Sequence, residues 1–308
     1  MRGVLGGGNC LSKEKGTVLV LLASVFFGTE AIFAKLAFAS GINFISTIAF
    51  RFLLSSIVLL SLLFFTGNRL SVPRSSYKIF GVLIIFFIIL AACMYKALEL
   101  LPASLTVLFF YSFPALTGLL DYIIKGEVLS KSKLLALFLS FLGLVFLLFS
   151  SVNTLPMLGV LFALGAAVAN AFLMVLSPLA LKKVNELNLT TWMFLGSAVF
   201  YLIVGALTGS LSYGLTLPGW LNLITLALIS TAAANVALIY GLGIVGSTTA
   251  AIVQTIEPVV TAFLAFVVFR ETLGNWQIFG AFLVLIGILI PHYEFRTIST
   301  QETIDVSK

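Results

Sequence analysis

The sequence predicts an all-α membrane protein of ten transmembrane helices, arranged as two inverted five-helix repeats. Three observations carry this: 308 residues that are 61% hydrophobic and only 9% charged, ten apolar stretches of spanning length, and a pattern of proline, glutamate and glycine that occurs twice. A soluble domain carries roughly a quarter charged residues, so lipid is the solvent for most of this chain. An apolar core of about 30 Å takes roughly 20 helical residues to cross. Backbone amides inside hydrocarbon must find partners within their own segment or in a closed barrel. The weak alternation of barrel strands is absent here, which leaves helices.

In order, the apolar stretches fall at 17–39, 44–66, 77–98, 102–125, 131–150, 156–180, 191–209, 218–240, 246–269 and 275–292. The chain therefore divides into a cytoplasmic N-terminal tail at 1–16, a first five-helix repeat at 17–150, a second at 151–292, and a cytoplasmic C-terminal tail at 293–308. With GGG at 6–8 and mixed charge at Lys13, Glu14 and Lys15, the N-terminal tail reads as a short disordered lead. Ala37, Phe38 and Ala39 spell a small-x-small cleavage pattern. The apolar run before them outlasts a signal core of roughly 7 to 15 residues and carries Glu30 and Lys35, so it is taken as the first span.

The net charge of +6 is explained by where the cations fall. With the N-terminus inside, the inner segments hold Arg2, Lys13, Lys15, Arg69, Arg74, Lys78, Lys125, Lys131, Lys133, Lys182, Lys183, Arg296 and Lys308, and the outer ends only Lys35, Lys96 and Arg270. That imbalance puts both termini in the cytoplasm and the chain in the inner membrane as a multi-pass protein. The basic excess orients loops, so nucleic acid is excluded as a partner. Expected partners are a small-molecule substrate and membrane lipid, with the chain acting as a monomer or homodimer.

The repeat is read by aligning Pro114 with Pro258. Glutamates follow at the same offset, Glu127 and Glu271, and then glycines, Gly143 and Gly287. Upstream, Tyr95 matches Tyr240 with one gap, and ASLT from Ala103 coincides with STTA from Ser247. Five spans per half is an odd number, so the second half enters the membrane from the opposite side. Inverted halves of this kind enclose a central site in secondary transporters.

FFGTEAIFAK at 26–35, IAFRFLLSS at 48–56 and the paired proline and glutamate pattern resemble the drug/metabolite transporter superfamily, in particular its EamA branch with two repeats. The resemblance covers 16–291. Two positions depart from it: the aromatic-Gly pair usually written Trp-Gly is Phe27 and Gly28, and Glu30 is not a standard part of that motif. The resemblance implies secondary-active transport of small metabolites, amino acids or related amphipathic compounds foremost, with export ahead of import. Alternating access with proton coupling is the expected cycle. A membrane channel and a non-transporting membrane scaffold remain the alternatives.

Glu257 falls mid-span, directly before Pro258, where an ionised side chain costs several kcal/mol and the missing proline amide frees a carbonyl. Its repeat counterpart is Phe113, so symmetry alone did not require a carboxyl. Glu30 lies at similar depth in the first span, opposite Leu173 of the repeat. Each acid has two readings, substrate binding or proton coupling, and a protonated carboxyl serving as interhelical glue. Arg51 is the deepest cation. With Lys35 and Lys96, and with Glu99 nearby, it outlines a basic outer vestibule suited to a carboxylate or phosphate, against simple snorkelling of the two lysines.

Tyr95, Tyr111, Asn170, Asn235, Tyr240 and Gln254 are polar groups on apolar helices, available either to substrate or to neighbouring helices. Pro114 and Pro258 mark kinks around a cavity. Glu127 and Glu271, near Lys125 and Arg270, read as structural helix-end charges. GLGIVG at 241–246 spells a dinucleotide fingerprint but follows a membrane helix and not a strand; its glycines suit a tight turn. Asn188, Leu189 and Thr190 form a sequon on the predicted cytoplasmic side. His292 is the sole histidine, and Cys10 and Cys93 the sole cysteines. No catalytic group, metal site or cofactor is expected.

Overall fold

A computed structural model describes residues 6–67, 70–101, 106, 109–126, 130–148, 156–212, 214, 216–269, 275, 276, 278–280, 282, 283, 285–287 and 290. Among these there are helices and connections but no strand. Helix α1 (Gly6–Gly28) begins inside the predicted disordered lead. No proline interrupts that run, and the Thr17 hydroxyl donates back to the Lys13 carbonyl at 3.0 Å, so the helix extends past the apolar stretch. After one residue, Thr29, the chain restarts as α2 (Glu30–Ala39).

Asn43 caps α3 (Phe44–Phe65) by accepting the Ser46 N–H at 2.9 Å. A single 3₁₀ turn leads into α4 (Tyr77–Leu100). Helix α5 (Phe113–Lys125) ends at Gly126, whose φ of +71° is the left-handed stop that glycine supplies at low cost. Helices α6 (Lys131–Leu148) and α7 (Met157–Leu181) follow. Asn185 caps α8 (Glu186–Leu207) by accepting the Asn188 N–H at 2.8 Å, so that helix starts before the predicted 191 and takes in the sequon. Helix α9 (Leu217–Thr225) runs into a π-helical stretch, Leu226–Ala233, and then α10 (Ala234–Val245). Gly246, with φ +83°, turns the chain into α11 (Ser247–Gln254), and α12 (Glu257–Phe269) restarts after two residues.

Among the described residues seven helical stretches are long and apolar enough to cross a membrane, and three shorter apolar helices lie at Phe113–Ile124, Leu134–Gly143 and Ile278–Gly287. Helix α4 packs along α7, α3 along α8, and α1 along α10, with further contacts of α5 to α7 and α11, of α1 to α11 and α12, of α3 to the π stretch, and of α4 to α8. The rings of Phe52, Phe87 and Phe194 meet with centroids 5.1 to 5.7 Å apart and join α3, α4 and α8. Large apolar side chains such as Phe64, Phe65, Phe138 and Leu161 stand on the outside, as a lipid solvent permits.

Lipid tails are as apolar as leucine, so helix association rests on close packing and hydrogen bonds. The α1 and α10 contact uses this. A Cβ built on Gly241 would stand 2.8 Å from the Gly16 carbonyl oxygen and 2.6 Å from Val20, so only glycine lets the two backbones approach this closely.

Candidate functional site

Three helical stretches that enter the core are broken, and each break is closed in the same way. Thr29, Ser112 and Thr255 return their N–H groups to the carbonyls three residues back, those of Phe26, Phe109 and Ile252, at 3.1, 3.2 and 3.1 Å. Their hydroxyls donate to the same carbonyls at 2.6, 2.7 and 2.6 Å. A tightened turn with a hydroxyl on its carbonyl satisfies backbone groups that hydrocarbon would leave stranded. Pro114 and Pro258, expected to mark kinks, are early residues of the restarted helices α5 and α12, where the missing N–H costs little.

The breaks collect the polar residues. Glu30 is the first residue of α2 and Glu257 the first of α12, while Tyr111 lies in the turn before α5. A carboxylate at a helix N-terminus is favoured by the helix dipole. Arg51 reaches Glu30 from α3: its Nη1 donates to Glu30 Oε1 and to the Tyr95 hydroxyl at 3.1 Å. The guanidinium carbon lies 4.8 Å from the Phe52 ring centre and 5.6 Å from that of Tyr95. Arg51 follows Phe44 by seven residues, which puts it about 10 Å along α3 from the end predicted to face outward. Arg51, expected in a basic vestibule, is engaged by Glu30, and Lys96 is exposed. The side chains of Lys35 and Glu99 lie outside those described.

Glu257 and Glu30 interact electrostatically, and the Tyr111 hydroxyl faces the Glu257 carboxyl. Neither acid is fully buried, Glu30 keeping 28% of its side-chain surface, although Arg51, Tyr95, Tyr111, Gln254 and Pro258 around them are buried. Tyr111 is 3% exposed, and the buried Oε1 of Gln254 makes no hydrogen bond among the described residues.

Glu30, Arg51, Tyr95, Tyr111 and Glu257 are thus brought together, and Gln254 stands three residues from Glu257. The other expected residues are placed differently. Asn170 is buried on α7, outside this network. Asn235 donates to the Thr231 carbonyl at 2.8 Å, serving its own helix where the π stretch ends. Tyr240 is 39% exposed and senses Glu186 at the start of α8, so its match to Tyr95 does not extend to the environment. Glu127, Glu271, Arg270 and His292 lie outside the described residues.

Two features were missed from the sequence. Asp121, 1% exposed on α5, accepts from the Ser247 hydroxyl at 2.7 and 2.5 Å and from the Thr248 hydroxyl at 2.6 Å, tying α5 to the start of α11. An aspartate inside an apolar span was the available signal. The second is the π stretch. The Thr231 hydroxyl donates to Leu226 at 2.9 Å, the Ser55 hydroxyl to Ala227 at 2.7 Å, and Ser230 meets Thr29 at 2.6 Å beside the first break. Seven helical stretches among the described residues long and apolar enough to cross a membrane, with charged groups gathered where two of them break, define a polytopic membrane protein.

Two segments, 14–149 and 157–291, match the EamA-like transporter family. The chain belongs to this family and is a multi-pass membrane protein. It is 27% identical over 282 residues to an uncharacterized transporter of Archaeoglobus fulgidus, covering 91% of this chain and 97% of that one. An uncharacterized transporter of Bacillus subtilis is 26% identical over 298 residues, with 91% and 96% covered. One of Synechocystis is 25% identical over 226 residues, with 71% and 67% covered. A solved crystal structure shares the fold at a TM-score of 0.81 and 17% identity, covering 92% of this chain and 99% of the other.

Proposed function

We propose that this protein is a secondary-active carrier of small metabolites, amino acids or related amphipathic compounds foremost, working by alternating access in the inner membrane. The observation that carries the reading is the cluster at the breaks. Glu30, Arg51 and Glu257 gather where membrane helices stop and restart, and intramembrane ionisable groups ordinarily mark a substrate or ion path. Broken helices around a central site are the usual construction of such carriers.

The packing supports two halves of five helices each, 17–150 and 151–292, related by an inverting twofold. Exchanging the halves turns the α4 and α7 contact into that of α10 and α1, and the α3 and π-stretch contact into that of α8 and α4, while the α3 and α8 contact maps onto itself. Seven long and three shorter apolar helices among the described residues support a reading of ten spans. The cation distribution supports cytoplasmic termini and tails at 1–16 and 293–308. Glu30 and Glu257 are the proton-coupling groups, with Arg51, Tyr95 and Tyr111 as the titratable groups facing them. Export is the direction the family resemblance favours.

Reconstitution into liposomes tests this. Proteoliposomes loaded with unlabelled leucine are expected to accumulate labelled leucine transiently, with a rate that saturates. Flux that rises linearly with concentration and shows no counterflow would make the protein a channel, and no flux of any tested metabolite would leave a scaffold.

A further inference from the structure

Asp121 is a carboxylate buried in α5, and the hydroxyls that donate to it, those of Ser247 and Thr248, belong to the start of α11 in the other matched segment. Asp121 lies nine residues beyond the break at Ser112, and Ser247 eight residues before the break at Thr255, roughly 12 to 14 Å of helix in each case. The two elements thus leave the breaks and meet at one end of the bundle. That end is the basic one. Lys125 follows Asp121 by about one helical turn. A Cβ on Gly16, next to Lys15, would stand 2.7 Å from Ile244 and 2.8 Å from Val245, just before Gly246. A Cβ on Gly243 would stand 3.3 Å from Leu181, which Lys182 and Lys183 follow.

Gly246, held at φ +83°, starts α11 without a side chain to cap it. The Asp121 carboxylate, supplied by the other segment, sits at that helix start, where the dipole and two hydroxyls favour a negative group. Hydrogen bonds to a carboxylate are stronger than those between neutral groups. The link has no equal at the related positions of the repeat. The register that pairs Pro114 with Pro258 pairs Asp121 with Ala265, and Ser247 and Thr248 with Ala103 and Ser104, so those positions hold no carboxylate.

We propose that Asp121, Ser247 and Thr248 form a latch between the two halves at the cytoplasmic end. In a carrier that works by alternating access, the halves rock so that each end opens while the other is shut. Separation of α5 from α11 at this end breaks the link, and their approach remakes it. Because the related positions at the outer end hold no carboxylate, the link favours a resting conformation closed to the cytoplasm. This rests on the carrier reading and on the orientation given by the cations, and it adds which conformation waits for cargo.

Two measurements on the full chain carrying Cys10→Ser and Cys93→Ser test it. The first reads opening without transport. Gln254→Cys, at a buried position beside the break at Thr255, is alkylated by a membrane-impermeant maleimide from the cytoplasmic face of inside-out vesicles. Adding Thr248→Val, which removes one hydroxyl and keeps Asp121 and Ser247, is expected to raise that rate roughly tenfold or more, the weight of one hydrogen bond to a charged group. The rate from the outer face of right-side-out vesicles is expected not to rise. A cytoplasmic rate changed by less than about twofold overturns the latch, and so does an equal rise from both faces, which marks a loosened fold. The second measurement bridges Asp121→Cys to Thr248→Cys with a short reducible bis-methanethiosulfonate. Leucine counterflow in proteoliposomes is expected to fall on bridging and return on reduction, whereas full counterflow while bridged shows that the link never opens in the cycle and overturns the proposal. If the double variant does not assemble, the alkylation ratio decides alone. Counterflow by the unaltered chain with unchanged alkylation removes the latch and leaves the carrier reading standing.

Discussion

Arg51, buried in α3, holds the carboxylate of Glu30 at the first residue of α2, where the first membrane span restarts. The pair closes the gap between two helices and sets the charge of the centre. Replacing Glu30 by Gln leaves the buried guanidinium charge without a carboxylate partner among the described residues, at a cost of roughly 3 kcal/mol. Thermal unfolding in detergent is expected to show that loss. The double variant Glu30→Gln with Arg51→Gln, which removes both charges, is expected to recover most of it.

Asp121 ties the two matched segments together at some distance from Arg51. Ser247 and Thr248 both donate to it, and all three residues are buried. Asp121→Ala removes an acceptor shared by these hydroxyls and is expected to destabilise the protein by about 3 kcal/mol, with Asp121→Asn costing less because it keeps one acceptor. Thermal melts of the two variants check the order.

Gly241 and Gly246 carry different demands. Alanine at 241 would press its Cβ against the Gly16 carbonyl, so Gly241→Ala is expected to cost roughly 1 to 3 kcal/mol through forced separation of α1 and α10. Alanine at 246 meets no atom within 4 Å but must adopt a φ of +83°. Its expected cost is nearer 1 kcal/mol. The ratio of the two losses in denaturation distinguishes crowding from backbone strain.

Thr29 closes the first break and reaches Ser230 on the π stretch. Thr29→Val keeps the shape and removes both bonds. A loss of about 1 kcal/mol is expected, the scale of interhelical hydrogen bonds in membranes, while Ser230→Ala alone is expected to cost less because the turn survives.

The helical spans were legible because crossing hydrocarbon imposes length and composition on each one, and both prolines pointed to the places where helices stop and restart. The break at Thr29 was not legible, since Gly28 and Thr29 sit in an unbroken apolar run with no proline. Which polar residues meet was only partly so. Intramembrane charge singled out Glu30, Arg51 and Glu257 by its cost, but partnership depends on distances between spans, so Arg51 read as a free cation when it serves Glu30. Tyr240 matched Tyr95 by spacing and yet lies half-exposed near Glu186, because repeat symmetry constrains the backbone more than the side chains. Asp121 passed unnoticed beside the charged loop that follows it.

The central claim is that the groups gathered at the helix breaks handle cargo, and the initial rate of leucine counterflow in proteoliposomes tests it most directly. Glu257→Gln, inserted in equal amount and melting at the same temperature as the unaltered protein, is predicted to lose roughly 30-fold or more of that rate. A rate within about twofold of the unaltered protein, less than 0.5 kcal/mol of effect, would contradict it.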